Sequence, residues 1–314
     1  MPSLKCLGCL QEISEKAISL STNDFNIKQK LISQINHQIS KEFNHIKLPD
    51  FSTKIFKIIA QESGNNNPFL QIKIESNNAV KSIIPIIENK LEELSESEIL
   101  KNLVLYSIAS NMIDFSTGGH SVNLNQIVKN ILDFPKEGLH IDNFKRFFTH
   151  VKKAKIIIYL ADNCGEIVID NLMIKYLVKH FNKKVYLGLK ESPIANDCSI
   201  EDFKRDRLEE YATDVFPINS SFGWNLHEST DRFKKLLKSS DLLIAKGQSN
   251  YETTLNNLVR YPKNIYPIIY CILRTKCEVV TKHLGVPLGS NVLKQMYPSN
   301  KNKRVLITEI TNCK

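Results

Sequence analysis

No stretch of this chain approaches the roughly 18 consecutive apolar residues that a membrane-spanning helix needs. The opening "MPSLKCLGCLQEISEK" also lacks the basic start and long apolar run of a secretory leader, so a cytoplasmic protein without membrane association is expected. The usual nucleotide signatures are missing. There is no G-x-x-x-x-G-K-[ST] and no G-x-G-x-x-G, which argues against a P-loop nucleotide triphosphatase and against a standard dinucleotide or methyl-donor site. Neither G-x-S-x-G nor H-E-x-x-H occurs. A disulfide framework is not expected either, because seven cysteines is an odd number in a chain this large, and reduced thiols follow.

What is present is ordinary in bulk. Hydrophobic residues at 42% and charged residues at 24% exclude a collagen-like, mucin-like or wholly disordered chain. With 314 residues there is length for two domains. Lys and Arg exceed Asp and Glu by 42 to 33, a net charge of +9 that would suit an anionic partner. The lysines are scattered, however, in short clusters such as "KKAK" and "NKNKR", with no basic block or aromatic ladder. This pattern reads as a solvated surface and argues against a nucleic-acid partner.

Two textures divide the chain near residue 150. Before it, "IFKIIAQES", "NAVKSIIPIIENKLEEL", "ILKNLVLYSIASNMIDF" and "LNQIVKNILDF" carry apolar residues at helical spacing, and Ser95 or Ser97 in "SESEIL" looks like a helix start. After it, short apolar runs alternate with helical patterns: "KIIIYLAD", "KVYLGLK", "DVFPINS", "DLLIAKG", "IYPIIYCIL" and, at the end, "RVLITEI". The expectation is an α/β protein. A helical domain over 1–150 should pack on a three-layer α/β/α domain over 151–314 with a mostly parallel sheet.

Polar residues follow several of these strands. Asp162, Asn163, Gly165 and Glu166 come after the first, Asn196 and Asp197 after the second, and Lys246, Gln248, Asn250 and Glu252 after the fourth. The carboxyl ends of strands in an open α/β sheet share one crevice, so these residues should converge. Two carboxylates and an amide oxygen are hard ligands for Mg²⁺, Mn²⁺ or a similar divalent ion, and a lysine adds a point charge for a phosphate oxygen. Such a set suits phosphate-ester hydrolysis. The plain alternative is that Asp162 and Asp197 cap helices and Lys246 is an ordinary strand-end lysine. Haloacid-dehalogenase phosphatases fit poorly, because Cys164 stands where their second aspartate would be.

Taken together, "DNCGEIVIDNL", "SPIANDCSIEDF", "AKGQSNYETTL", "SIASNMIDF", "NPFLQIKIESNNA" and "RTKCEVVTKHLGVPLGSNVLK" resemble the metal-dependent damage-control phosphatase family, long catalogued as domain of unknown function 89. The likeness covers most of the chain in the family's order and includes the "CLGC" of its prokaryotic-type branch. It implies a divalent metal (Mg, Mn, Co or Ni) on Asp162, Asn163 and Asp197, with Lys246 at the phosphate. Asn111 and Asp114 would reach in from the helical half to line the pocket, and the substrate would be a small phosphorylated metabolite such as a sugar phosphate, nucleotide or damaged cofactor intermediate. Ser249 and Ser110 stand where the family commonly has Gly, and Cys164 where it usually has Ala. A serine could crowd a phosphate or fail to adopt a positive φ.

Either water activated by the metal or Asp162 itself would attack phosphorus; Asn196, Asn250 and Glu166 complete the expected surroundings. A non-catalytic protein that binds a phosphorylated ligand or nucleic acid in the same crevice is the second reading, and carboxyl methyl transfer, lacking its glycine-rich loop, the third. Cys6 and Cys9 have a metal-gripping spacing but need two more ligands for zinc, so a structural or paired-thiol role is preferred. Cys277 and Trp224 read as core residues, and His120 as a solvated loop residue.

Overall fold

A computed structural model describes residues 4–43, 47–111, 130–208, 211–261 and 265–296. Asp114, His120 and the "RVLITEI" run lie outside the described residues. Helices α1 (Leu4–Ser21), α2 (Phe25–Glu42), α3 (Leu48–Ser63), α4 (Leu70–Lys81), α5 (Ile84–Leu91) and α6 (Glu96–Ser110) come first. Strand β1 (Ile141–Asp142) and helix α7 (Phe144–Lys153) precede an alternating run: β2 (Ile156–Leu160), α8 (Glu166–Lys179), β3 (Lys184–Leu189), α9 (Ile200–Arg205), β4 (Asp214–Pro217) and α10 (Asp231–Ser239). The run continues through β5 (Leu242–Lys246), α11 (Gln248–Arg260), β6 (Ile268–Arg274), α12 (Glu278–Leu284) and β7 (Asn291–Gln295).

The seven strands form one sheet in the order β1-β7-β6-β5-β2-β3-β4. Every neighbouring pair is parallel except β6 and β7. The chain winds outward from β2 through β3 to β4, then returns to place β5 on the other side of β2. The order therefore reverses between β2 and β5, where an open α/β sheet leaves its crevice.

Period-two alternation assigns each strand's residues to two cores. Ile157 and Tyr159 of β2, Leu242 and Ile244 of β5, and Tyr270 and Ile272 of β6 join the core on one face. Residues from α5, α6, α7 and α8 cover that face, including Ile87, Val104, Phe147 and Met173. Ile158, Leu160, Leu243, Ala245, Cys271 and Leu273 face the other core with Trp224, Phe233, Tyr251 and Val280. Trp224 is fully buried there and donates to Thr254 Oγ1 at 2.8 Å, so it is a core residue. A third core joins α1, α2 and α3 to Ile194, Ala195 and Phe222 in the loops after β3 and β4.

The helical texture thus extends into the α/β layers. Helices α5 and α6 form part of one layer on the sheet, and β1 joins the sheet from upstream of residue 150. The pattern "NAVKSIIPIIENKLEEL" is split between α4 and α5, with Pro85 in the first turn of α5, where its missing N–H costs no helical hydrogen bond. Ser95 caps α6 in a reciprocal box with Glu98. Among the described residues no helix is long and apolar enough to cross a membrane.

Candidate active site

The β2–α8 and β3–α9 loops meet at the crevice through a short antiparallel bridge that pairs Asn163 with Asp197. Cys164 N–H donates to Asn196 O at 2.9 Å and Cys198 N–H donates to Asp162 O at 2.8 Å. This bridge, outside the regular ladders, brings Asp162, Asn163, Asn196 and Asp197 together, and all four are buried. Neither aspartate caps a helix. Gly165 occupies the cap position of α8, and Ser199, boxed with Asp202, caps α9. The capping alternative therefore fails on geometry.

Asp162 and Glu166 share two amide donors. Asn111 Nδ2 donates to Asp162 Oδ2 at 3.1 Å and to Glu166 Oε1 at 2.8 Å; Asn163 Nδ2 reaches the same two oxygens at 3.1 and 2.6 Å. Asn111 thus reaches in from the end of α6, and its own Oδ1 accepts the Arg274 N–H at 3.3 Å. With its nitrogen occupied in this way, Asn163 keeps a buried Oδ1 that has no hydrogen-bond partner among the described residues. Burying such an oxygen costs free energy unless a donor or cation meets it.

The β5 end approaches just as closely. Gly247 has φ +82, and a Cβ there would fall 1.7 Å from Asp162 Oδ2, so no other residue fits without moving that carboxylate. Lys246 is fully buried, with Nζ donating to Glu166 Oε2 at 2.7 Å and Ser107 O at 3.0 Å, and 3.6 Å from Asp170 Oδ1. Burial works against its ammonium, but Asp170 and Glu166 outweigh burial and raise its pKa. Burial also pushes Asp170 up to about 6, against the pull of Lys246; its Oδ1 accepts from Ser107 Oγ at 2.6 Å and Tyr159 OH at 2.8 Å. Asn250 ties β2 to β5, donating to Ala161 O at 3.1 Å and Lys246 O at 2.6 Å.

Lys190 went unnoticed in the sequence. It follows β3 as Lys246 ends β5, so the strand-end logic that singled out one lysine could have found both. Its buried Nζ donates to Ser221 O at 2.7 Å and to Gly223 O, and lies 3.6 Å from Asp197 Oδ2. Burial lowers its pKa; Asp197 and Asp162 partly offset that. Ser249 and Ser110 lie within helices and have no positive φ, so neither position demands glycine for its backbone. Cys164 is buried beside Cys198.

The donor set fits a hard divalent cation. Its atoms are all oxygen, and the partnerless Asn163 oxygen sits across the bridge from Asp197. Among the described residues no three His, Cys, Asp and Glu side chains gather as a metal cluster; the set here has two carboxylates and completes itself with an amide. Cys6 and Cys9 lie on α1, outside any such cluster, and Cys277 is a half-buried free thiol at the start of α12.

The architecture and crevice define an α/β protein with an acid, amide and lysine site at its sheet's switch point. Residues 3–292 match the damage-control phosphatase ARMT1-like domain, and the chain belongs to that family. It is 31% identical over 290 residues to the damage-control phosphatase PH1575 of Pyrococcus horikoshii, covering 92% of this chain and 96% of that protein. A damage-control phosphatase of Archaeoglobus fulgidus is 26% identical over 295 residues, covering 92% of this chain and 97% of its own length. The crystal structure of PH1575, described as a DUF89 family protein, superposes with a TM-score of 0.81 at 29% identity, covering 94% of this chain and 99% of that one.

Proposed function

We propose that the chain is a divalent-metal-dependent phosphatase that hydrolyses the monoester of a small phosphorylated metabolite in a cytoplasmic setting. Asp162, Asn163 and Asp197 would hold the ion, and their oxygens suit Mg²⁺, Mn²⁺, Co²⁺ or Ni²⁺. When bound, the ion would supply charge neutralisation and polarisation at the phosphoryl oxygens. The bridge between Asn163 and Asp197, with the Asn163 amide oxygen lacking a partner, is the observation that carries this reading.

The chain's own groups divide the remaining work. Asn111 holds Asp162 and Glu166 in place through one amide nitrogen. Lys246 is ion-paired with Glu166 at 2.7 Å and provides a fixed positive charge for the phosphoryl group at the β5 end. Lys190 provides a second positive charge beside Asp197. Asn196 and Asn250 shape the loop and strand end around them, and Asp114 joins the substrate side by family resemblance. If Asp162 attacks, its carboxylate oxygen bonds to phosphorus while the ester oxygen leaves and takes a proton; water then cleaves the acyl phosphate. If water attacks, no phosphoryl group rests on the protein. Rapid acid quench of a single turnover with ³²P-labelled substrate separates the routes.

The test of the function is release of inorganic phosphate from sugar phosphates, nucleotides and phosphopantetheine compounds with each of the four ions, comparing wild type with Asp197→Ala. Metal-dependent turnover that disappears in the variant supports the proposal. Folded wild-type protein with no turnover under any ion would reduce the crevice to a ligand-binding site.

A further inference from the structure

We propose that α4 aligns the metal site, with Asn77 and Lys73 as positioning residues that hold the loops bearing Asp162–Asn163 and Asp197 in register. The inference rests on the reading of the crevice as a metal site. It starts from an oddity of α4: Lys73, Asn77 and Lys81 are spaced by four and so share one face of the helix, yet Lys73 and Asn77 are fully buried. A lysine out of water loses several kcal/mol of hydration, about the size of a small domain's whole stability margin, unless a specific partner compensates. A buried polar stripe is therefore committed to particular groups, and here those groups belong to the first ligand loop and to α9, into which the second ligand loop leads.

On the first loop, Asn77 Oδ1 accepts the N–H of Gly165, two residues past Asn163. Gly165 has φ +86 and no side chain with which to cap α8, so this contact fixes the turn that leads from the ligands into the helix. On the second loop, Lys73 Nζ donates to Asp202 Oδ2 at 2.8 Å. The same oxygen accepts from Ser199 N–H at 3.1 Å and Ser199 Oγ at 2.7 Å, two residues past Asp197. Asn77 Nδ2 also donates to the Asp206 carboxylate, and Lys81 Nζ to Asp206 O at 2.6 Å, just beyond α9. The two loops thus have two common restraints: the Asn163–Asp197 bridge between them, and α4 gripping each immediately downstream of its ligands.

This matters because ligand oxygens must sit within a few tenths of an ångström of their ideal places to share one ion. The ladder between β2 and β3 ends at Leu160 and Gly188, before either ligand loop begins. Helix α4 comes from the N-terminal half of the chain, so its grip makes the metal site depend on residues some 90 to 130 positions upstream.

The test uses the full chain, stripped of metal, with Mn²⁺ titrated alone and free Mn²⁺ read by electron paramagnetic resonance, so that no turnover is needed. Asn77→Ala and Lys73→Met are expected to weaken Mn²⁺ binding about ten-fold or more while circular dichroism shows a folded chain. Glu88→Gln is the control: it removes the 2.7 Å pair with Lys175 between α5 and α8, touches neither loop, and should leave Mn²⁺ affinity unchanged. Asn77→Ser replaces the alanine variant if that does not fold. Wild-type Mn²⁺ affinity in folded Asn77 and Lys73 variants would overturn the inference. A wild type that binds no Mn²⁺, or an Asp197→Asn chain that binds it as tightly, would instead remove the metal reading and the inference with it.

Discussion

The crevice has two walls, each carrying a buried lysine, and they are built differently. At the β5 end, Lys246 is enclosed by Glu166, Asp170 and a backbone carbonyl, and its pKa is raised despite burial. At the β3 end, Lys190 is held by two backbone carbonyls with Asp197 at 3.6 Å, and its pKa is lowered. The same side chain, equally far from water, is a locked structural cation on one wall and a less completely neutralised one on the other. Carbonyl dipoles hold an ammonium in place without cancelling its charge, whereas carboxylates cancel it. On the proposed function both lysines serve the phosphate, and the β3 wall has more positive charge to spare for it.

Removing the locked lysine should have the largest effect. Lys246→Met leaves Glu166 and Asp170 buried without their cation, and equilibrium urea unfolding should show a loss of about 3–5 kcal/mol along with loss of phosphate release. A loss under about 1 kcal/mol would mean that the β5 wall is not held by this ion pair. Gly247→Ala tests the junction of the walls: its methyl would displace the Asp162 carboxylate, and phosphate release should fall about 10²-fold, consistent with a 1 Å misplacement. Unchanged turnover there would show that Asp162 tolerates movement.

Lys190→Met should cost about 3 kcal/mol of stability, the low end for two lost charge-assisted bonds, and should raise KM about ten-fold more than it lowers kcat. If kcat alone fell, the lysine would act on the transition state and not on binding. The smallest effect belongs to Glu252, a partly exposed carboxyl on α11 pushed up to about 7 by desolvation. Its folded-state pKa lies above the ordinary value, so the destabilisation develops as pH rises from about 4.5 and is complete above about 7. Discounted for its partial exposure to water, Glu252→Gln should gain about 1 kcal/mol in urea unfolding at pH 8 and nothing at pH 4.

Much of this was legible in the sequence because it is local. Apolar runs such as "IIIYL" and "LLIA" announce buried parallel strands, and polar residues directly after them announce the crevice. Strand β7 and the two-residue β1 were not read, since five residues and two carry too little periodicity to stand out. Pro85 divided one apparent helix in two. Lys190 escaped because a strand-end lysine has no signature of its own; burial and partners give it meaning.

The sequence by itself determined the α/β class, the alternation of strands and helices, and the residue types available at the strand ends. Those follow from short-range spacing and from which side chains prefer water. Only the tertiary structure decided which of those residues meet. The β2–β5 reversal, the bridge from Asn163 to Asp197, the reach of Asn111 and the grip of α4 all join positions far apart in the chain. Such pairings are fixed by packing and by the need of buried polar groups for partners, and neither is written in local spacing.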